Sequence, residues 1–478
     1  MGRGTNPAFP SLARGAGCDN LGLEAYNESL FSTFHFVSAP EVFMPEISAI
    51  RALRYNLGHV GNLSDVVAPS VDALRLEQRD ILYKRHPAGC IRLIANREEP
   101  GDVRGSSDQR AAKFWRRWQT EGVLQHEAAP EVYIYQQTFA DGDQSVSMRG
   151  ILCGVRFDSP EDRRLYSASE MDDAIVQERF DLVRQCAANF SPVVGLCSDP
   201  GDRLQHLLDS AIQDGLEITC VDDAGVRHSM WPISDARTIG AIQEIVGPSP
   251  MLVAAGEDRV RASERYFSWL QEHEGPVASD HPANFVLTLI WRLEDSVDLL
   301  HSSHRVFGGG NPISSEDLVA RIGECFTCNT IAEGPDAAEI AWTPISTSDH
   351  QGRLAIYCGT DRRWVLCEAK EAAIDRLREL CPEASDEWCE LSVNLLHHLI
   401  ISDLLQDATP TIQYRRTIED LVTKLGGPEA CSYAALVPPI DVDAMETIAV
   451  QEEQLPANTF HLAREPLTGL VFNPLNRR

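Results

Sequence analysis

A chain of 478 residues is too long for one compact core and, at roughly 100–200 residues per domain, suggests two or three folding units. With 43% hydrophobic and 24% charged residues, it has the composition of a globular protein, not a fibrous or disordered one. The 71 Asp and Glu against 42 Lys and Arg leave a formal net charge of −29, so most of the surface repels nucleic acid and anionic membranes. Any phosphate site must therefore be a local basic pocket.

Residues 1–45 are Gly-rich at first, carry Pro40 and Pro45, and read as an irregular N-terminal arm. From Ile50 the pattern predicts a short strand, a turn over Gly58 to Asp65, and a second strand from Val66 stopped by Pro69. Leu74 to Lys84 and Asp108 to Glu121 have helical spacing, the latter with Phe114, Trp115 and Trp118 on one core-facing stripe. Val132 to Phe139 alternates at period two, as does Ser145 to Phe157, and the polar turn Asp141-Gly142-Asp143 joins them as a hairpin. A helix follows over Met171 to Ala187, a buried strand over Pro192 to Leu196, and another helix over Arg203 to Asp214. A second hairpin turns at Asp223-Ala224-Gly225. Next come a helix over Ala236 to Val246, a strand over Met251 to Ala255, a strong helix over Asp258 to His273 and an apolar strand over Asn284 to Trp291.

Gly308 to Pro312 is the clearest loop. It divides an α+β core over 46–312 from a C-terminal α+β domain over 313–478, whose tail is expected to return to the core. In the second part, helices (Ser315 to Cys325, Lys370 to Leu380, Ser385 to Leu405) alternate with strands (Arg353 to Tyr357, Trp364 to Cys367, Ser432 to Val437). The class is α+β, with largely antiparallel sheets and flanking helices. No apolar run approaches the roughly 18–20 residues of a bilayer span, and no secretory signal is readable in the first twenty residues. Thirteen cysteines without regular spacing read as reduced thiols, so the expected setting is the cytoplasm.

One segment has the geometry of an anion site. Met251 to Ala262 is a strand, a glycine turn at Gly256 and a helix start, which aims backbone N–H groups and the helix dipole at one point. Arg259 and Arg261 lie in the first turn. The same pattern also fits an ordinary strand–turn–helix junction in which Glu257 and Asp258 merely complement the dipole. Cys325-Phe-Thr-Cys328 has the spacing of half a zinc site or a redox pair, but no clean second pair follows, and no metal site is assigned. His397-His398 lies in an apolar helix and reads as core.

Several stretches in order along the chain resemble the prokaryotic family filed as domain of unknown function 1015. They are Arg54 to Asn56 with Leu63 to Pro69, Tyr133 to Gly150, Ala188 to Pro200, Met251 to Ala262, Ser303 to Val306, Glu453 to Pro456 and Thr468 to Leu475. The family hallmark, Asp-Gly-His-His-Arg, is similar to the phosphate box of the ParB/sulfiredoxin-like fold, and some members phosphorylate free L-serine. The resemblance implies a ParB/sulfiredoxin-like kinase core and a small-molecule phosphotransferase. In this chain Gly256 and Arg259 match the hallmark, while Ala255, Glu257 and Asp258 replace its acid and two histidines. Ala168-Ser169-Glu170 stands where the family shows Pro-His-Glu, and Arg464 stands where a late lysine is expected; His304 and Arg305 match.

On that resemblance, ATP or ADP would donate a phosphoryl group to the hydroxyl of serine or a related small amino acid, with Mg²⁺. Gly256, Glu257, Asp258, Arg259, His304, Arg305 and Arg464 would form the nucleotide-phosphate site. Asp65, Asp72 or Glu170 would be the general base or metal ligand. The expected partners are the nucleotide and the amino acid, not nucleic acid or membrane. Two extra carboxylates facing a phosphate oppose this chemistry: a unit pair at 4 Å costs about 4 kcal/mol at an effective dielectric of 20. Glu257 and Asp258 must then point to solvent, hold Mg²⁺, or mark an altered family member that acts as a ligand-binding or regulatory protein.

Overall fold

The computed structural model describes residues 46–476 apart from 75, 142–143, 158–164, 167–171, 200, 214, 249–250, 297–298, 309–311, 349, 406–410, 428–431 and 452. The expected arm, the tip of the first hairpin and Glu170 lie outside the described residues. The described residues fall in one compact unit. It is a mixed α+β structure built on two large, mostly antiparallel sheets with flanking helices.

The nine-stranded sheet draws its strands from Ile47 to Arg292. Its path runs Leu165–Tyr166, Met251–Ala255, Val193–Cys197, Phe285–Arg292, Gln144–Arg156, Val132–Asp141, Arg227–Ile233, Ile218–Val221, with Ile47–Ser48 also on Gln144–Arg156. The alternating hairpin predicted around Asp141 is present, with Tyr133 opposite Leu152 and Phe139 opposite Val146. Phe285–Arg292 is buried along nearly its whole length because both sheet faces are covered there, which explains its continuous apolar run. It pairs in parallel with the wholly buried Val193–Cys197, which in turn pairs antiparallel with Met251–Ala255. One face packs on helices Arg203–Ala211 and Ala236–Val246 through Leu204, Leu208, Ile242 and Val246.

The six-stranded sheet is antiparallel throughout, in the order Phe326–Glu333, Arg363–Ala369, Arg353–Cys358, Tyr433–Leu436, His304–Gly308, Thr411–Arg415. A single large hydrophobic cluster contains residues of both sheets. The C-terminal residues lie against the first part of the chain: Asn473–Pro474 pairs with Ala188–Asn189, and Phe472 bridges Leu53.

Three local expectations are corrected. Val66 to Pro69 is not a strand beyond an isolated bridge at Ala68, because Asn56 and Asn62 each accept a backbone N–H two residues on and wind Leu57 to Asp65 into short helical turns. Ser385 to Leu405 is not one helix. It breaks at Leu391, which is extended, and continues as a π-helix over Leu395–Leu404. The Asn394 side chain donates to the Trp388 carbonyl at 2.8 Å across the break. Phe326–Glu333 is a strand that periodicity did not show, since it lies at a sheet edge and carries Thr327, Asn329 and Thr330 toward solvent.

Candidate functional site

The strand–glycine–helix geometry is present as read. Met251–Ala255 ends at Gly256, whose φ of +88° is a left-handed conformation, and the 18-residue helix Glu257–Glu274 starts there without a side-chain cap. A Cβ at Gly256 would lie 2.5 Å from Arg259 Nη1 and 3.2 Å from Val193 Cα, so the position requires glycine for room as well as for φ. The Arg259 side chain folds back over this turn. Its Nη1 donates to the Pro192 carbonyl at 2.9 Å, and its Nη2 donates to Ser70 Oγ at 2.7 Å and to Asp72.

Asp72 is shared. Arg179, from helix Asp173–Cys186, reaches its other oxygen at 3.4 Å and donates from Nε to Asp258 at 2.8 Å. Both acidic substitutions in the hallmark are buried: Glu257 is 8% exposed and Asp258 is 4% exposed. Solvation of these two acids is therefore excluded. Burial opposes the charge on Asp72, but Arg259, Arg179 and Arg416 outweigh it and hold the carboxyl below its ordinary value. Burial likewise opposes the Arg259 charge, and Asp72, Asp258 and Glu465 together raise that guanidinium above its usual value. Glu465 is paired in turn with Arg416 at 2.8 Å.

The junction is thus a lattice of guanidinium and carboxylate groups supplied by the chain itself. The cleft beside it, lined by Arg179, Arg259, Val71, Phe190 and Ser191 among others, holds about 40 Å³. That is well below the roughly 300–1,000 Å³ of a small-molecule site. A hollow of about 840 Å³ lies elsewhere, lined in part by Arg51, Trp115, Arg116, Gln185, Phe285 and Asn476, and includes none of the residues expected from the sequence.

The other expected residues make their closest contacts outside this lattice. His304 and Arg305 are successive residues of one strand, so their side chains leave on opposite faces. His304 packs on Trp342 with ring centroids 5.0 Å apart, and burial, then Arg305, lowers its imidazole to about 3. Arg305 is fully buried, with its Nε 3.3 Å from His397 Nε2 and its Nη groups on the carbonyls of Ser303 and Asn458. Arg464 stacks over the Phe139 ring at 4.1 Å. Asp65 ends the short turn Leu63–Asp65, and among the described residues no hydrogen bond or ion pair joins it to the Arg259 lattice. Of the expected set, the structure gathers Asp72, Gly256, Asp258 and Arg259. It adds Ser70, Arg179, Arg416 and Glu465, which no sequence signal marked because they come from distant segments without a shared motif.

Among the described residues no group of three or more His, Cys, Asp or Glu side chains could hold a metal ion, and no helix is long and apolar enough to cross a membrane. The Cys325 and Cys328 side chains do not form a pair; Cys328 is opposite Cys367.

A mixed α+β scaffold with a glycine-turn helix start backed by arginines is the class of protein these features define. The chain belongs to the family described as "Protein of unknown function (DUF1015)", whose model matches residues 47–388. No curated protein matches it. Among solved structures it is similar to a free serine kinase in complex with AMP, at 11% identity over 63% of this chain and 86% of that one, with a TM-score of 0.30. It is also similar to a conserved hypothetical protein from Pyrococcus furiosus (10% identity, 63% and 89% covered, TM-score 0.29). A third similar structure is SbnI with C-terminal truncation from Staphylococcus aureus (7% identity, 65% and 84% covered, TM-score 0.30).

Proposed function

We propose that this chain is an altered member of its family, a small-molecule-binding or regulatory protein whose phosphate cradle is filled by its own carboxylates. The observation that carries this reading is the position of Asp72 and Asp258: they occupy the faces of Arg259 and Arg179 that an anionic ligand would need. A phosphate entering there would have to displace a charge-assisted bond and meet the buried Glu257 and Asp258 at short range. The hollow lined by Arg51, Trp115 and Arg116 is where this reading places a small ligand. The test is incubation of the full chain with ATP or ADP, Mg²⁺ and a panel of free amino acids, free serine included. No phosphoamino acid above the protein-free blank is expected.

The second reading is a phosphotransferase that moves a phosphoryl group from ATP or ADP to the hydroxyl of serine or a related small amino acid, with Mg²⁺ between the phosphates. It is favoured by one observation, that Asp72 is kept ionised beside the hallmark arginine. A donor phosphate taking its place on Arg259 would release a carboxylate able to accept the serine hydroxyl proton. Phosphoserine formation in that assay, abolished in Arg259→Met, would establish this reading and overturn the first.

A further inference from the structure

The Cys-x-x-Cys spacing conceals a different pair. Cys325 is buried just before strand Phe326–Glu333, whereas Cys328 lies within it, in register with Cys367 of strand Arg363–Ala369. Residues directly opposed on antiparallel strands share a face, with Cα atoms about 4.5–5.5 Å apart, inside the roughly 4.4–6.8 Å that a disulfide spans. Both side chains face the large core cluster, Cys367 fully buried and Cys328 at its margin. The described cysteines are all free thiols.

The two thiols act on each other's ionisation and differ in burial, and each sulfur also lies near the carbonyl two residues back, Phe326 for Cys328 and Val365 for Cys367. A hydrogen bond from the Cys367 thiol lowers Cys328 against the opposing effect of burial, and the Lys370 ammonium adds to this. The same bond, with burial, drives the Cys367 thiol well up. The half-buried member is the more accessible of the two, and its enclosed partner lies directly across the strand pair.

We propose that Cys328 and Cys367 form a reversible thiol–disulfide modification site, with a hydroperoxide as the oxidant. The Cys328 thiolate attacks one peroxide oxygen, the O–O bond breaks, and the departing alkoxide or hydroxide takes up a proton and leaves as alcohol or water. This gives a sulfenic acid on Cys328. The Cys367 sulfur then displaces the sulfenic hydroxyl, forming the S–S bond while water leaves with the Cys367 proton. Two thiols lose two electrons and the peroxide takes both; an external dithiol reverses the change. The bond ties the edge strand Phe326–Glu333 to its neighbour two residues from the register slip between Thr330 and Ala332.

The test uses the full, pre-reduced chain treated with hydrogen peroxide, then differential alkylation and peptide mapping. A linked peptide containing Cys328 and Cys367 is expected, two hydrogens lighter than the reduced pair and reopened by dithiothreitol. Cys325→Ser should leave this link unchanged. Cys367→Ser should trap a dimedone-reactive sulfenic acid at Cys328 and form no link. A Cys325–Cys328 link, or a thiol count unchanged by peroxide, overturns the proposal. The mapping of the unsubstituted chain and of Cys325→Ser decides the matter without replacing either member of the pair.

Discussion

Arg259 and Arg305 are both withdrawn from water, yet their surroundings are opposite in kind. Arg259 is ion-paired with Asp72, has Asp258 and Glu465 close enough to act on it, and is held above its ordinary value despite burial. Arg305 meets two backbone carbonyls, His397 and, at 5.6 Å, the Tyr414 ring; among the described residues no carboxylate pairs with it. Burial pushes its guanidinium down to about 10. The contrast shows that two buried arginines in one chain can be held by opposite means. Arg259 is the hub of a charge lattice, whereas Arg305 is a cation anchored by neutral groups inside the second sheet.

The largest expected effect breaks the hub. Arg259→Met leaves Asp72 with Arg179 on one oxygen and, among the described residues, only the Ser70 hydroxyl, at 3.3 Å, on the other. Removing one member of a buried pair costs about 3–5 kcal/mol and of an exposed pair about 0.2–1 kcal/mol; with Arg259 buried and Asp72 exposed, the loss should fall between, at about 2 kcal/mol. Urea unfolding at pH 7 measures it. A loss under about 1 kcal/mol would show that the lattice does not hold this junction together.

The next effect separates the two regions by pH. His304 and His461 are held near 3 and 4, and His397 well below its usual value, in each case chiefly by burial. These folded-state values lie below the unfolded value of about 6.5, so their contribution is complete above that pH and is lost as pH falls. At pH 5.5, one unit below the unfolded value, each histidine withdraws roughly 1 kcal/mol. Asp72 acts in a different window: its folded value is also depressed, but from about 3.9, so its share is lost only below about pH 4. Hydrogen exchange at pH 5.5 should therefore show protection falling in His304–Gly308 before Met251–Ala255. Simultaneous loss, or the reverse order, would contradict the contrast between the regions.

How far the sequence carried differs along the same line. Local signals were legible: period-two alternation placed the first hairpin, and the glycine turn before the helix placed Gly256 and Arg259 with their backbone geometry. Asp72 and Arg259 could be named individually, but not as partners, because 187 residues separate them and no short motif encodes that distance. Arg179 was invisible for the same reason. The pairing of His304 with Arg305 was misleading in one respect: adjacency in sequence implies a common site only in a loop or turn, and on a strand it separates two side chains onto opposite faces. Cys328 and Cys367 show the converse, since 39 positions of sequence close into direct opposition through strand register.

A smaller effect is expected at Asp258. Asp258→Asn keeps the shape and one acceptor facing Arg179 but removes a charge, so the cost should be about 1–2 kcal/mol, the difference between a charge-assisted and a neutral hydrogen bond. If Asp258 fills the place of a phosphate, this variant should also gain measurable affinity for inorganic phosphate or ADP by calorimetry. Unchanged stability with unchanged affinity would remove Asp258 from the lattice.

The smallest effect is expected at Arg305. Arg305→Met keeps much of the volume and removes a buried cation that has no carboxylate partner, while leaving the Ser303 and Asn458 carbonyls short of a donor. The gain from removing the charge and the loss of its bonds oppose one another, so the net change at pH 7 should stay within about 1 kcal/mol. The sharper readout is again pH. The Arg305 charge is the second influence, after burial, lowering both His304 and His397, so its removal should move both histidines back toward 6.5 and shrink the stability lost between pH 7 and 5.5. Arg259→Met should leave that acid loss unchanged, because Arg259 is not among the charges acting on either histidine. A variant at Arg305 as damaging as Arg259→Met, with the acid loss undiminished, would mean that an undetected anion meets the buried guanidinium and that the two arginines are alike after all.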